Sequence, residues 1–329
     1  MALSYSHLDL ALIMVLQQYL LILLIALSVI NADMAMGQRP LASRYSFDIN
    51  DPTLKSVNFT PLTVKVNSPY AEVRPMVSGN GKYLFFSRRN HHKNFAKEKD
   101  KQDIWFSALE DNDWGEPKNL GESINSKNAD APCGVSHDGK EIYFFSDLID
   151  LKKPLMRSVQ NATGWSKPVP VEIENFQTRN RFIDFFVSPK FKVIIMAIEQ
   201  KDTRGDQDLY VSFQKSQDKW STPINMGFVI NSVAADFAPF LSDDGKTLYF
   251  SSNRDGGLGG CDIYRSSRLD DTWTHWSVPK NLGAGINSSK EETNFSISGD
   301  DIYFESYDLE KEVRDIFKAR LPKESKISQ

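Results

Sequence analysis

The sequence predicts an all-β fold: a five-bladed β-propeller with four antiparallel strands per blade, its ring closed by an N-terminal strand that completes the last blade. Five turn serines, Ser78, Ser136, Ser188, Ser242 and Ser298, recur at intervals of 58, 52, 54 and 56 residues. That period suits a propeller blade or solenoid unit and is far too long for a hairpin. Each unit holds short apolar runs rich in β-branched and aromatic residues, separated by turn residues, a pattern of strands and not of long helices. The fifth unit stops near Leu321, three strands in, while residues 61–68 read as a closing piece with no front half. Joining the two ends in one blade removes the unpaired sheet edges an open array would expose.

The elements of the unit follow in a fixed order. A dipeptide ends ten residues before each serine: Asn67-Ser68, Asn125-Ser126, Gln177-Thr178, Asn231-Ser232 and Asn287-Ser288. After the serine turn comes an apolar aromatic run such as Tyr83-Leu84-Phe85-Phe86 or Ile142-Tyr143-Phe144-Phe145, and then a strand opened by an acid, as in Asp103-Ile104-Trp105, Asp208-Leu209-Tyr210, Asp262-Ile263-Tyr264 and Asp315-Ile316-Phe317. The second copy departs, with Pro154-Leu155-Met156. A tryptophan three residues before a proline closes four copies, Trp114, Trp165, Trp220 and Trp276, and is expected to pack between blades.

The domain organisation is a leader over residues 1–37, a linker over 38–60, the propeller over 61–321 and a tail over 322–329. The apolar stretch at 19–30, followed by small residues ending at Gly37, has the order of a secretory signal. No Lys or Arg precedes Arg39, and residues 10–30 are long enough for an uncleaved membrane anchor. A net charge of −4 is no nucleic-acid-binding balance. The two cysteines, Cys133 and Cys261, fall in blades that are not neighbours, so a disulfide between them is not expected.

The fourth unit carries a resemblance. Ser242-Asp243-Asp244-Gly245-Lys246-Thr247-Leu248-Tyr249-Phe250, continued by Asn253-Arg254-Asp255-Gly256-Gly257 and Asp262-Ile263-Tyr264, resembles the TolB-type, WD-like propeller repeat of Gram-negative envelope proteins. The likeness runs over residues 61–321 and is weaker in the third unit. It implies a periplasmic or outer-envelope protein that binds a protein or a cell-wall polysaccharide, and leaves the partner open.

Strand direction puts the lead-in to each first strand and the loop between the second and third strands on one face. Six residues before the serines stand Glu72, Asp130, Phe182, Asp236 and Glu292, so four blades present a carboxylate near the channel mouth. These acids either form a ligand-binding ring or serve as hydrogen-bond acceptors that every unit needs. Blade three breaks the pattern, with Asp184 two places on, flanked by Arg179 and Arg181. Asp184, Glu72 and Glu292 are the candidate catalytic acids, since glycosidic cleavage needs one protonated acid and one base or nucleophile. Arg88 and Arg89 open a basic flap containing His91 and His92, and Arg254 and Asp255 lie on the matching loop of blade four; these four charged residues join the carboxylates as ligand-binding candidates. Gly245-Lys246-Thr247 lacks the first glycine of a phosphate loop, and no metal or cofactor motif can be assembled. The expectation is an exported, non-enzymatic binding module recognising protein or glycan at the channel mouth. The competing reading is a glycoside hydrolase or polysaccharide lyase using the channel carboxylates.

Overall fold

A computed structural model describes residues 57–95, 102–146, 153–179, 182–308 and 313–320. The chain divides into two units, Met1–Ser46 and Phe47–Gln329, and every described residue lies in the second. The leader, Arg181 and the tail over 322–329 lie outside the described residues.

The described residues form twenty-four strands and no helix, gathered into five small sheets. The first strand, β1 (Phe59–Pro61), belongs to the last blade. Blade one is β2 (Glu72–Val77), β3 (Tyr83–Arg89), β4 (Gln102–Glu110) and a closing strand in two pieces, β5 (Asp113–Trp114) and β6 (Lys118–Asn119). Blade two repeats this with β7 (Asp130–Val135), β8 (Glu141–Ser146), β9 (Leu155–Asn161), β10 (Gly164–Trp165) and β11 (Val169–Pro170). The short β12 (Glu172–Ile173) crosses to blade three, which holds β13 (Asp184–Ser188), β14 (Val193–Ile198), β15 (Asp208–Ser216), β16 (Lys219–Trp220) and β17 (Ile224–Asn225). Blade four is β18 (Asp236–Leu241), β19 (Thr247–Ser252), β20 (Asp262–Ser267) and β21 (Lys280–Asn281); blade five is β22 (Glu292–Ser298), β23 (Asp301–Asp308), β24 (Val313–Arg320) and β1.

Closure is by backbone pairing: Phe59 faces Ala319 and Pro61 faces Phe317, and the Leu62 amide donates to the Ile316 carbonyl at 2.9 Å. The closing strand therefore ends at Pro61, where the sequence reading began it. Residues 62–67 leave the sheet in a turn in which the Val66 and Asn67 amides both donate to the Thr63 carbonyl. Leu62 and Val66, four apart, are buried by that turn while Val64 between them faces solvent.

The alternation of apolar residues along the strands gives both faces of each blade something to bury, and the core is accordingly split into five apolar clusters, one per blade interface. The interface that shuts the ring packs Leu62, Val66, Leu84, Phe86, Trp105 and Trp114 of the N-terminal segment and blade one against Tyr303 and Ile316 of blade five. Trp220 and Trp276 fill the interfaces on either side of blade three, each at most 2% exposed.

The repeated dipeptide explains how the blades register with one another. Asn125 Oδ1 accepts from the Ile104 amide at 2.8 Å, while its Nδ2 donates to the Ile104 carbonyl at 3.1 Å and to Asn119 Oδ1 at 2.8 Å. Asn231 and Asn287 hold Leu209 and Ile263 in the same way. Asn67 does so for Ile316, 249 residues away, so the side chain that clips blades two, four and five to their predecessors also clips the first blade to the last; blade three carries Gln177 in this slot.

Candidate functional site

The four lead-in acids are all bound by their own blades. Glu72 accepts from the Ser68 amide at 3.0 Å and the Ser68 hydroxyl at 2.5 Å, and Glu292 treats Ser288 likewise at 2.8 and 2.6 Å. Asp130 and Asp236 accept from the amides of Ser126 and Ser232 at 2.6 Å. All four are almost wholly buried. Burial pushes the Glu72 carboxyl up to about 7, against the pull of its Ser68 hydrogen bonds and the Arg88 charge, and pushes Asp130 up to about 6 and Glu292 up as well.

The arginines expected on the loops belong to this same layer. Arg88 Nε donates to Glu72 at 2.8 Å with its guanidinium 4.5 Å from the Trp105 ring, and Arg254 Nη2 donates to Asp236 at 2.5 Å with its guanidinium over Tyr264. Asp255 is exposed on its loop and Arg89 is half-buried at the end of β3. His91 turns inward, edge-on to Trp105 and stacked on His92, and burial, followed by the Arg88 charge, lowers it to about 4.

Two residues past the lead-in acid, the blades stop agreeing. This position holds Arg74, Pro132, Asp184, Ala238 and Asn294, spaced by the same intervals as the serines. In blades one, four and five the strand breaks register there, between Val73 and Met76, Phe237 and Phe240, and Thr293 and Ser296, and Arg74, Ala238 and Asn294 take φ of 58°, 49° and 52°. Such bulges re-aim side chains. All five residues line one cavity on the channel axis, with Pro75, Met76, Phe185, Pro239, Phe240 and Phe295. Its volume is about 20 Å³, room for one water molecule.

Asp184 is thus the expected acid that reaches the axis. Its Oδ1 accepts from Arg74 Nη1, the two side chains being 5% and 22% exposed. Its Oδ2 is buried with no hydrogen-bond partner among the described residues. Burial pulls the Arg74 guanidinium down and the Asp184 charge more than restores it, leaving it above its ordinary value.

Glu305, on β23, was not singled out from the sequence. It accepts from the Arg74 amide at 2.8 Å and the Thr293 hydroxyl at 2.6 Å, and Arg314 Nη1 lies 3.4 Å away. The signal that could have found it is again a departure from the repeat, since blades one and four carry Ser87 and Ser251 at the matching register.

No family model matches this chain, and no curated protein does. Among solved structures, the fold is similar to an endo-arabinase from Bacteroides thetaiotaomicron, with a TM-score of 0.51 and 14% identity over 80% of this chain and 98% of that one. It is also similar to a GH43_12 protein from a capybara gut metagenome, with a TM-score of 0.50 and 12% identity over 82% of this chain and 55% of that one. At these identities the likeness is one of fold. Of the TolB-type resemblance, the β-propeller is what stands. The expectation of a non-enzymatic binding module, drawn from envelope propellers, is corrected: the propeller matched here is that of an endo-arabinase, an enzyme.

Proposed function

We propose that this chain is a carbohydrate-active enzyme of the glycoside hydrolase class, with its reaction centre at the axial cavity. The observation that carries the reading is Asp184, a buried carboxylate with one oxygen held by Arg74 and the other unpartnered in a cavity that fits one water. Asp184 Oδ2 is placed to take a proton from that water as it attacks the anomeric carbon. Arg74 and Asn294 line the same cavity and are the neighbouring residues with donors that can orient such a water. Cleavage also takes a protonated acid on the far side of the scissile bond. None of the other lining residues is a carboxylate, so that acid faces the substrate from the mouth side. The endo-arabinase sharing the fold makes arabinan the first polysaccharide to try. Export to the envelope belongs to the same reading and is supported by the leader's order alone.

The test is reducing-end release from arabinan and from neutral and acidic polysaccharides by the purified chain. Release that falls roughly 10²–10⁴-fold in Asp184→Asn, with folding retained, is the expected result. Turnover unchanged in that variant, or none on any polysaccharide, overturns it.

A further inference from the structure

The axial cavity has room for a water but not for a sugar, so the body of a substrate has to lie elsewhere on the mouth face. A second cavity, of about 410 Å³, opens between blades four and five and is lined by Gly260, Ser289, Lys290, Glu291, Tyr307 and Arg314. That volume lies within the range of small-molecule sites. Its walls are fixed by backbone: the Gly260 amide donates to the Lys290 carbonyl at 2.8 Å and the Tyr307 amide to the Glu291 carbonyl at 3.2 Å. A Cβ at Gly259 would lie 2.0 Å from the Lys290 carbonyl oxygen, so the blade-four loop can approach this closely only as glycine.

We propose that this cleft is a saccharide subsite, holding the part of a chain adjoining the bond cleaved at the axis; it rests on the hydrolase reading. Two observations support it. The first is the chemistry of the lining. Ser289, the Lys290 ammonium and the Tyr307 hydroxyl have no side-chain hydrogen bond among the described residues, while Glu291 offers an acceptor beside them. Donors and acceptors side by side around one aromatic ring match a ligand whose hydroxyls both donate and accept. The second is continuity with the axis. Arg314, packed 5.4 Å from the centre of the Tyr307 ring, bonds Glu291 at 2.6 Å and reaches Glu305 at 3.4 Å. Glu305 accepts from the Arg74 amide at 2.8 Å, and Arg74 pairs with Asp184. The cleft floor and the axial carboxylate are therefore ends of one polar network, so a chain bound in the cleft is held in fixed geometry to Asp184.

Titration calorimetry with arabino-oligosaccharides and oligogalacturonides of increasing length tests this, on the full chain and on Lys290→Ala/Tyr307→Ala. Wild-type affinity is expected to rise with length, and the double variant to lose that gain, binding the longer oligosaccharides roughly tenfold more weakly. Lys290→Met, which keeps the backbone bond to Gly260, is expected to lose part of it and guards against a folding defect. A variant with the wild-type length dependence overturns the subsite while polysaccharide hydrolysis dependent on Asp184 still stands. A wild-type chain that neither binds nor cleaves any of these sugars overturns both.

Discussion

Arg74 of blade one reaches across the channel mouth, past blade two, to pair with Asp184 of blade three, 110 residues away. The guanidinium also lies 4.9 Å from the centre of the Phe145 ring of blade two, so one side chain ties three blades together at the axis. Arg74→Met leaves Asp184 buried with no cation. The loss of a buried partner costs about 3 kcal/mol, discounted here because Arg74 is partly exposed. The expected outcome is a destabilisation of about 2 kcal/mol by urea unfolding together with loss of turnover. A variant with wild-type stability and wild-type rate would show that the pair is incidental to both.

The clip asparagines carry a different load. Removing the Asn125 side chain orphans the buried amide of Ile104, and leaving such a group unpaired costs about 1–3 kcal/mol; the Ile104 carbonyl keeps the bond it accepts from the Leu120 amide at 3.1 Å. Asn125→Ala is expected to lower stability by roughly 1–3 kcal/mol. Because Asn125 lies away from the axial lining, the rate at a temperature where the variant stays folded should hold. A large rate defect with little change in unfolding would contradict the structural role given to this residue.

Ring closure predicts a sharp length requirement. Deleting residues 57–66 removes β1 and the buried Leu62 and Val66, exposing Tyr303 and Ile316 and leaving β24 as an open edge. Exposed edges of this kind associate. The deleted chain is expected to aggregate or unfold well below the full chain in thermal scans. A monomeric, equally stable product would mean that the closing strand is dispensable.

The blades, their number and the closure were legible because they rest on periodicity: Ser78 and its four counterparts mark a turn every unit needs. Periodicity also misled, since the apolar alternation of residues 62–66 looks like strand and is a turn that buries Leu62 and Val66 together. The candidate site was legible in part. Asp184 stood out as the acid missing from its slot, but Arg74 and Asn294 attract no notice as residue types. Their meaning comes from the bulges of blades one and five that bring both residues to the axial cavity, and a bulge leaves no mark in a single sequence. Glu305 was hidden for a similar reason, at the end of the apolar run Ile302-Tyr303-Phe304, where only the comparison with Ser87 and Ser251 sets it apart.

The buried lead-in acids give the fold a pH dependence of defined sign. Burial raises Glu72 from 4.5 to about 7 and Asp130 from 3.8 to about 6, so near neutrality the native chain retains protons that the unfolded chain has released. Stability from these two groups is complete below their unfolded values and is lost as pH rises through about 6 and 7. His91, lowered to about 4, works the other way and loses stability as pH falls from 6.5 through that value. The two effects overlap, so the test compares variants in the same buffers and does not rest on the wild-type curve. Asp130→Asn keeps an acceptor for the Ser126 amide and cannot ionise. Its unfolding free energy, measured from pH 4 to 8, is expected to fall less with rising pH than the wild type's, the difference growing between pH 4 and 6 and reaching roughly 2–3 kcal/mol at most. Parallel curves for the two proteins would mean that Asp130 is ionised in the fold and that Ser126 and Ser146 outweigh its burial.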